Sequence, residues 1–481
     1  MTVKLVLGLD IGTSSVKFLV SDSSLNTVYA NSIAYDLVYP SEGYVEMDPK
    51  VWKKIILDEL EKIFNSDFAD NIKVICTTAQ MHSTVFLDSD GDTFRNAILW
   101  NDRRTINQIP EIRDVLINTL GMTKNANIIS TGSPLANLIW LKKYKTEEYK
   151  KIAKMCMVKD YINYILTGEA VTDYCDASTS CLMDLATKKW SDKIIKHYGF
   201  PNRIFPEIKN SDKRVSFLGA SLKKRFHLHN DVAVVVGTGD NAATMAFINE
   251  FSKSNLTISL GTSGVVLSEI KNLSNVGKNI LFGSENGLKI ISQTSLSTCG
   301  EIIEWWKNEI TRNNEYLRLS DISEKDIVSN KVIFIPYFAG EKYILKNRNI
   351  LGSFQELDLT ASSKKMGLSI FEGIAFALKL LYEEQNIPLA GSINVVGGGA
   401  RNDLWLLILA NVFNRVINTF NLNVMSVHGS IIIGYKYLQT PVSSDYLTMI
   451  PLKPQSKYVS YYQKKYKKFK KYVHLINCSN G

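Results

Sequence analysis

Short runs in which apolar residues alternate with polar ones, or stand together, divide this chain into strands and helices. Val3-Lys4-Leu5-Val6-Leu7 and Val16-Lys17-Phe18-Leu19-Val20 flank the segment Leu9-Asp10-Ile11-Gly12-Thr13-Ser14. That pattern predicts two strands folded back on each other through a tight glycine turn. Nearly the same text recurs in the second half, where Leu256-Thr257-Ile258 and Val265-Val266-Leu267 enclose Ser259-Leu260-Gly261-Thr262-Ser263-Gly264. Backbone N–H donors and small hydroxyls gathered in such a turn make a cradle for phosphate. Gly-Thr-Ser is also ordinary hairpin chemistry, so a single copy says little; the repetition points to a duplicated architecture with a nucleotide between the halves.

Between the two copies the periods alternate. A strand meander through about residue 36 leads to Tyr44-Val45-Glu46-Met47-Asp48-Pro49, where Asp48 reads as a helix cap and Pro49 as the first helical position. Trp52, Ile55, Ile56, Leu60 and Ile63 supply the buried stripe of that helix, and a strand from Ile72 to Cys76 follows. Residues from about 105 to 230 read as largely helical, an insert shaping a substrate pocket, with Ile139-Trp140-Leu141 and Tyr161 to Leu166 as packing runs. A buried strand, Val232 to Val236, ends at Gly237-Thr238-Gly239, and the domain boundary belongs near residues 247–255. The second half repeats the theme with a strand from Lys331 to Pro336, a helix from about Met366 to Glu384 and a strand from Ile393 to Val396. Gly397-Gly398-Gly399 then opens a helix from Arg401 to Phe413. The reading is an α/β protein of two domains, 1–248 and 249–481, closed by a basic helix over about 456–475.

Composition changes this picture little. With 481 residues, 45% hydrophobic and 21% charged, the chain is a globular protein too long for one core. Its formal charge of +9 owes six units to Lys464, Lys465, Lys467, Lys468, Lys470 and Lys471, and the remainder is close to neutral. Tyr462, Tyr466, Phe469 and Val473 fall on one face of that same stretch, so a docked helix with a solvated lysine face is expected, and neither nucleic acid nor membrane as partner. Cys76, Cys156, Cys175, Cys181, Cys299 and Cys478 show no CxxC pair and read as small buried hydrophobes in a reducing, cytoplasmic setting.

Four places offer chemistry. Asp10, at a strand end facing the first turn, suits Mg²⁺, which takes one or two protein carboxylates beside phosphate oxygens. The competing reading is an Asx turn, against which stands the second copy, with Ser259-Leu260 and no acid. Asp240 follows a strand and precedes Asn241-Ala242-Ala243-Thr244-Met245, a helix start. An N-cap and a general base on a sugar hydroxyl need the same placement, and the sequence leaves both open. Gln80-Met81-His82-Ser83 and Leu99-Trp100-Asn101-Asp102-Arg103-Arg104 put amides, a histidine and an acid at strand ends, where α/β proteins bind polar ligands; a histidine such as His82, taken alone, is more often a core or turn residue than a ligand. No zinc pattern, GxSxG elbow or GxGxxG turn is present, which weakens hydrolase and Rossmann readings.

Taken in order, Asp10 to Ser15, Gln80-Met81-His82, Trp100-Asn101-Asp102-Arg103, Lys159-Asp160-Tyr161 with Thr167-Gly168-Glu169, Gly239-Asp240-Asn241-Ala242, Leu260 to Gly264 and Gly397 to Arg401 resemble the FGGY carbohydrate kinases over nearly the whole chain. The resemblance implies two ribonuclease-H-like domains of the actin and hexokinase type with ATP in the cleft between them. It implies Asp240 as general base and Asp10 as organiser of Mg²⁺, with Gly12, Thr13 and Ser14 approaching the transferred phosphate. Gly261 and Thr262 would hold the nucleotide's phosphates, and Gly398, Gly399 and Ala400 its adenine and ribose side. Met81, His82, Trp100, Asn101, Asp102 and Asn241 would line the sugar pocket. Gln-Met-His and Trp-Asn-Asp-Arg are similar to the ketopentose branch, which implies phosphorylation of D-xylulose to D-xylulose 5-phosphate. Ribulose, gluconate or glycerol as acceptor, or a nucleotide-binding protein with weakened catalysis, are the alternatives. The partners expected are a small sugar, ATP and, in assembly, a second copy of the chain.

Three places depart from the family pattern. Gly340-Glu341-Lys342-Tyr343-Ile344 keeps the acid of the usual Gly-Glu-Arg-Thr-Pro but loses the guanidinium fork and the proline. Gly434-Tyr435-Lys436 replaces Gly-Ala-Ala, a change expected to alter packing beside the nucleotide. Ser83 stands where glycine is common.

Overall fold

The computed structural model describes residues 3–270, 273, 279–312, 316–341, 343–345, 347, 349–388, 391–420, 422, 425–443 and 449–479. In chain order, the elements that carry the sites begin with β1 (Leu5–Ile11), β2 (Ser15–Ser21), β3 (Thr27–Ala34), α1 (Pro49–Phe64) and β4 (Ile72–Ala79). They continue with α2 (Val158–Thr167), α3 (Tyr174–Thr179), β5 (Arg214–Phe217), β6 (Ala233–Gly239) and α4 (Asp240–Phe251). The second half supplies β7 (Leu256–Leu260), β8 (Gly264–Ile270), β9 (Ile290–Leu296), α5 (Ser363–Glu384), β10 (Ile393–Val396), α6 (Asp403–Phe413), β11 (Ile417–Phe420), α7 (Met425–Tyr437), β12 (Met449–Leu452) and α8 (Ser456–Ser479). The chain forms two compact units. The first comprises Met1–Phe251, Ile280–Ile291 and Val424–Tyr446, the second Ser252–Asn279, Ser292–Asn423 and Leu447–Gly481.

In the first unit the sheet order is β5-β6-β4-β1-β2-β3. β1, β2 and β3 form the antiparallel meander that the alternation predicts, while β1, β4 and β6 run parallel. Their C-terminal ends therefore share one edge of the sheet, the edge from which Asp10, Gln80 to His82 and Asp240 project. α1 starts as its sequence dictates: Asp48 Oδ1 accepts the Lys50 N–H at 2.9 Å and Pro49 occupies the first turn. Trp52, Ile56, Leu60 and Ile63 are buried under it, and Ile55 is half-buried.

Residues 105–230 are largely helical, as expected, with short strands such as Lys154–Met157, Val171–Asp173 and β5 between the helices. One expectation changes here: the strand before Asp240 does not end at Gly237. β6 continues to Gly239 across an irregularity between Val235 and Thr238 in its pairing with β4. Gly237 sits there at φ +68°, and a Cβ on it would lie 1.8 Å from the Thr77 carbonyl oxygen, so only glycine fits.

α7 comes from the far end of the sequence and lies along β1 in the opposite direction. Ser426 meets Asp10, a Cβ on Gly8 would meet Ser430 Oγ at 2.4 Å, and one on Gly434 would meet Val6 at 2.4 Å. Absent side chains at Gly8 and Gly434 are what let helix and strand approach. At the opposite end from Asp10, the buried Tyr435 donates to the carbonyl oxygens of Lys4 or Ser21, each at 2.8 Å.

The second unit repeats the scheme. β7 and β8 form an antiparallel hairpin, β7, β10 and β11 run parallel, and β12 closes the edge antiparallel. α5 buries most of its length in the core, and α8 adds Tyr462, Tyr466, Phe469 and Val473, all buried. Phe376 of α5 receives Tyr466 and Phe469 with ring centroids 5.6 and 5.5 Å away. Lys464, Lys467, Lys468, Lys470 and Lys471 are exposed, as an amphipathic helix requires, but Lys465 is not. It is buried, donating to Glu372 Oε2 at 2.5 Å and to the Asn330 carbonyl at 2.8 Å. Cys76, Cys156, Cys175, Cys181 and Cys299 are buried free thiols, and the Cys478 side chain lies outside the described residues. Among the described residues no helix is long and apolar enough to cross a membrane.

Removing one partner of a buried ion pair leaves the other charge unpaired, at about 3–5 kcal/mol. Lys465→Met is therefore expected to lower the chemical-denaturation midpoint clearly, whereas Lys464→Ala leaves it within error; equal effects of the two would contradict the buried pair.

Candidate active site

The strand-end edge of the first unit begins with Asp10. This residue is nearly buried, and its Oδ2 accepts from Lys17 Nζ at 3.1 Å and from Ser426 Oγ at 2.9 Å. Among the described residues no protein group bonds its other oxygen. Below it the glycine turn closes with the Gly12 N–H on the Ser15 carbonyl at 3.0 Å. Thr13 and Gly12 are tied to the end of β4 through Gln80, whose Oε1 accepts from Thr13 Oγ1 and whose Nε2 donates to the Gly12 carbonyl, both at 3.4 Å. Tyr35 also donates to that carbonyl, and Ser14 receives the Tyr35 N–H at 3.0 Å.

Asp240 is the first residue of α4, directly beyond the bulged β6, with its side chain partly buried. Its Oδ1 accepts the N–H of the next residue, Asn241, at 2.8 Å; standing inside the helix as its first residue, it does not, among the described residues, bond the N–H two or three positions on, as a cap would. That hydrogen bond does not exhaust the group. Burial, reinforced by the negative charge of Asp10, pushes its pKa up from 3.8 to about 7, and Lys17 offsets only part of the rise. A carboxyl at the mouth of a strand that gains and loses its proton near neutrality is suited to general-base work.

His82 stands beyond β4 in the left-handed backbone region, at φ +66°. Burial holds its pKa at about 4, with the Thr179 backbone as a smaller opposing influence, so the ring is neutral at physiological pH. Among the described residues its Nδ1 is buried without a hydrogen-bond partner, and so is Asn101 Oδ1; a buried polar atom left unbonded costs about 1–3 kcal/mol unless a ligand or water completes it. Met81 packs against Gly239, the residue before Asp240, where a Cβ would meet its Sδ at 2.8 Å. Trp100 is 47% exposed, and its Nε1 donates to Thr13 Oγ1 at 3.2 Å. Ser83 Oγ accepts the Trp100 N–H at 3.1 Å, which gives the serine at this position a use that glycine lacks. Asp102 is fully buried with both oxygens engaged: Oδ2 takes the Val45 N–H at 2.7 Å and Arg104 at 2.8 Å, and Oδ1 takes the Arg104 N–H at 2.9 Å. Its geometry fixes the loop that carries Trp100 and Asn101.

In the second unit, Gly261 and Thr262 form the β7–β8 turn, and Gly398, Gly399 and Ala400 follow β10, the parallel neighbour of β7. Both sets therefore lie beyond adjacent strand ends. Gly397 passes so close beneath β7 that a Cβ would lie 2.7 Å from the Leu260 carbonyl, whereas a Cβ on Gly398 would meet nothing within 4 Å. The turn at 261 is held by the Gly300 N–H on the Gly261 carbonyl at 2.9 Å and the Cys299 N–H on the Thr262 carbonyl at 2.8 Å. Glu341 is spent on its own loop, accepting the N–H groups of Tyr343, Ile344 and Leu345 at 2.9, 2.7 and 2.6 Å. Tyr343 shares a 3.2 Å hydrogen bond with Ser295, and Lys342 lies outside the described residues. Tyr435 is a core residue of the first unit, anchored at the end of β1 remote from Asp10.

Sequence reasoning missed Ser426, for which no local signal exists, and the groups behind Asp240. Lys159 was visible only as part of a motif. In the fold it is fully buried, with Asp160, Asp173 and Asp176 oxygens at 2.5, 3.1 and 3.4 Å.

Comparison with known proteins identifies the family. The N-terminal domain model of the FGGY family of carbohydrate kinases matches residues 5–246, and its C-terminal domain model matches residues 256–436. The xylulose kinase of Staphylococcus xylosus is 32% identical over 425 residues, 86% of this chain and 87% of the relative. The xylulose kinase of Lactococcus lactis is 32% identical over 422 residues, covering 85% and 83%. A gluconate kinase crystal structure from Lactobacillus acidophilus superposes with a TM-score of 0.87 at 21% identity, over 99% of both chains, which shows the shared fold. Two matched domains, relatives of this identity and a common two-domain α/β architecture establish that the chain belongs to the FGGY family of carbohydrate kinases and is a sugar kinase that uses ATP.

Proposed function

We propose that this kinase transfers the γ-phosphoryl group of ATP to the terminal hydroxyl of D-xylulose, with Asp240 as general base. The observation that carries the reading is the Asp240 carboxyl at the mouth of β6, its pKa raised to about 7 by burial and by Asp10. Asp240 takes the hydroxyl proton as the sugar oxygen bonds to phosphorus, the bond to the β-phosphate oxygen breaks, and ADP departs. Phosphoryl transfer needs alignment and charge neutralisation more than covalent help, so one acid suffices. The turn residues Gly261, Thr262, Gly398, Gly399 and Ala400 hold the nucleotide through backbone groups, and Gly12, Thr13 and Ser14 approach the transferred phosphate.

Asp10 fits Mg²⁺. Among the described residues no protein group bonds one of its carboxylate oxygens, and no set of three or more His, Cys, Asp or Glu is arranged to hold a metal alone. Magnesium taking its other ligands from phosphate and water suits such a site. When bound, it neutralises charge on the phosphates.

The sugar side favours a neutral acceptor. His82 is uncharged, its Nδ1 and Asn101 Oδ1 await hydroxyl hydrogens, Arg104 is spent on Asp102 and Glu46, and Lys17 on Asp10. Gluconate would bring a carboxylate with no unspent cation among these buried groups to receive it, although Arg103 is exposed nearby. The xylulose kinases named above support the same choice.

A coupled assay of ADP release over D-xylulose, D-ribulose, gluconate and glycerol is expected to give the highest kcat/KM with D-xylulose. Asp240→Asn should lower kcat by about 10²–10⁴-fold; a variant within threefold of wild type would remove the base. Since only the ionised carboxyl accepts a proton, kcat/KM should fall about tenfold per pH unit below about 7 and level off above it. A profile flat down to pH 5 would contradict this. Folded Asp240 keeps a proton that the unfolded chain loses between pH 3.8 and about 7, so stability declines as pH rises through that window. Asp240→Asn should therefore raise Tm by about 2 °C at pH 8 and not at pH 4; a lower Tm at pH 8 would refute the unfavourable ionisation.

A further inference from the structure

The bulge in β6 leaves the residues before Asp240 poorly fixed by backbone pairing alone. At the irregularity, the Val236 and Gly237 N–H groups turn away from β4 to the Lys213 and Ser211 carbonyls, both at 2.9 Å. Pairing with β4 resumes only at Thr238 opposite Thr78 and Gly239 opposite Ala79, the last two residues before the proposed base. Something other than the ladder must set where that short piece points.

α2 supplies it. Asn163 Nδ2 donates to the Val236 carbonyl at 2.8 Å, and one helical turn earlier Lys159 inserts its ammonium among buried carboxylates. Asp173 is the acceptor at the centre. Its Oδ1 faces Lys159 Nζ at 3.1 Å and the Asp176 N–H at 3.2 Å, and its Oδ2 takes the Cys175 N–H at 3.1 Å and Thr238 Oγ1 at 2.5 Å. Lys159, Asp173 and Thr238 are all fully buried. The same carboxylate caps α3, whose Thr179 backbone stands beside the His82 ring. One ion pair thus grips both the strand leading to Asp240 and the helix behind His82.

We infer that Thr238 is a positioning residue for phosphoryl transfer, its hydroxyl fastening the end of β6 to the buried Lys159–Asp173 pair so that the Asp240 carboxyl meets the sugar hydroxyl. The inference rests on Asp240 acting as the base. A hydrogen bond to a buried charged group is stronger than one between neutral partners, and small misplacements of a reacting group cost one to two orders of magnitude in rate.

Replacing Lys159 would strand three buried carboxylates and endanger the fold, so the test uses Thr238→Val, which keeps the shape and removes the hydroxyl, and Thr238→Ser, which returns the hydroxyl. With Asp240→Asn assayed alongside, Thr238→Val is expected to lower kcat about tenfold or more with KM for ATP unchanged, and Thr238→Ser to recover at least a third of wild-type kcat. A purely structural role would lower the concentration of folded enzyme, read from the denaturation midpoint, without changing kcat per folded molecule. Thr238→Val within twofold of wild-type kcat, while Asp240→Asn is inactive, would overturn the positioning role and leave the base intact. An active Asp240→Asn would instead overturn the base, and the positioning role with it.

Discussion

Burial, reinforced by the negative charge of Asp10, raises the cost of ionising Asp240, and the sheet edge of the first unit holds the two acids near each other. The two acids stand at the C-terminal ends of β1 and β6, on either side of β4 in one sheet edge, so neither can move away without disturbing the core. Lys17 and Ser426 contact only one oxygen of Asp10, which restrains the repulsion without cancelling it. What remains is a carboxylate with an open oxygen beside a second acid whose proton is loosely held at neutral pH. The proposed mechanism uses a cation-binding group, Asp10, next to a base, Asp240, and their proximity costs some stability.

Keeping the acids in place takes residues distant in sequence. α7 returns from the second half of the chain to lie along β1, with Gly8 and Gly434 allowing contact and Ser426 reaching Asp10 at its end. On the other side, Gly237 permits the bulge that re-aims β6, and α2 holds the bulged strand through Asn163 and the Lys159–Asp173 pair. The active-site geometry is therefore a property of the packed unit, and little of it belongs to the loops alone.

Elements governed by local periodicity were legible in the sequence: both glycine hairpins, the Asp48 cap, the strand from Ile393 to Val396 and the aromatic face of α8 depend on neighbours a few residues apart. Pairings across hundreds of positions were not. Nothing near Ser426 marks it as a partner of Asp10, and the lysine run gave no sign that Lys465 alone turns inward, since its partner Glu372 lies on another helix. The strand through Gly237 was cut short because glycines usually end strands, whereas here one serves a bulge. Tyr435 shows the same limit: its identity was plain, but only the fold shows that it seals the far end of β1. Roles at Asp240 and His82 were legible as alternatives, and burial supplies the physical reason to favour chemistry at both.

The most direct measurement is the ionisation of Asp240 itself. Carboxyl ¹³C resonances of enzyme labelled at aspartate, assigned by loss of one signal in Asp240→Asn, can be followed through a pH titration. A midpoint near 7 for that resonance is the expected result; a midpoint near 4, the value of an ordinary exposed aspartate, would contradict the proposed base.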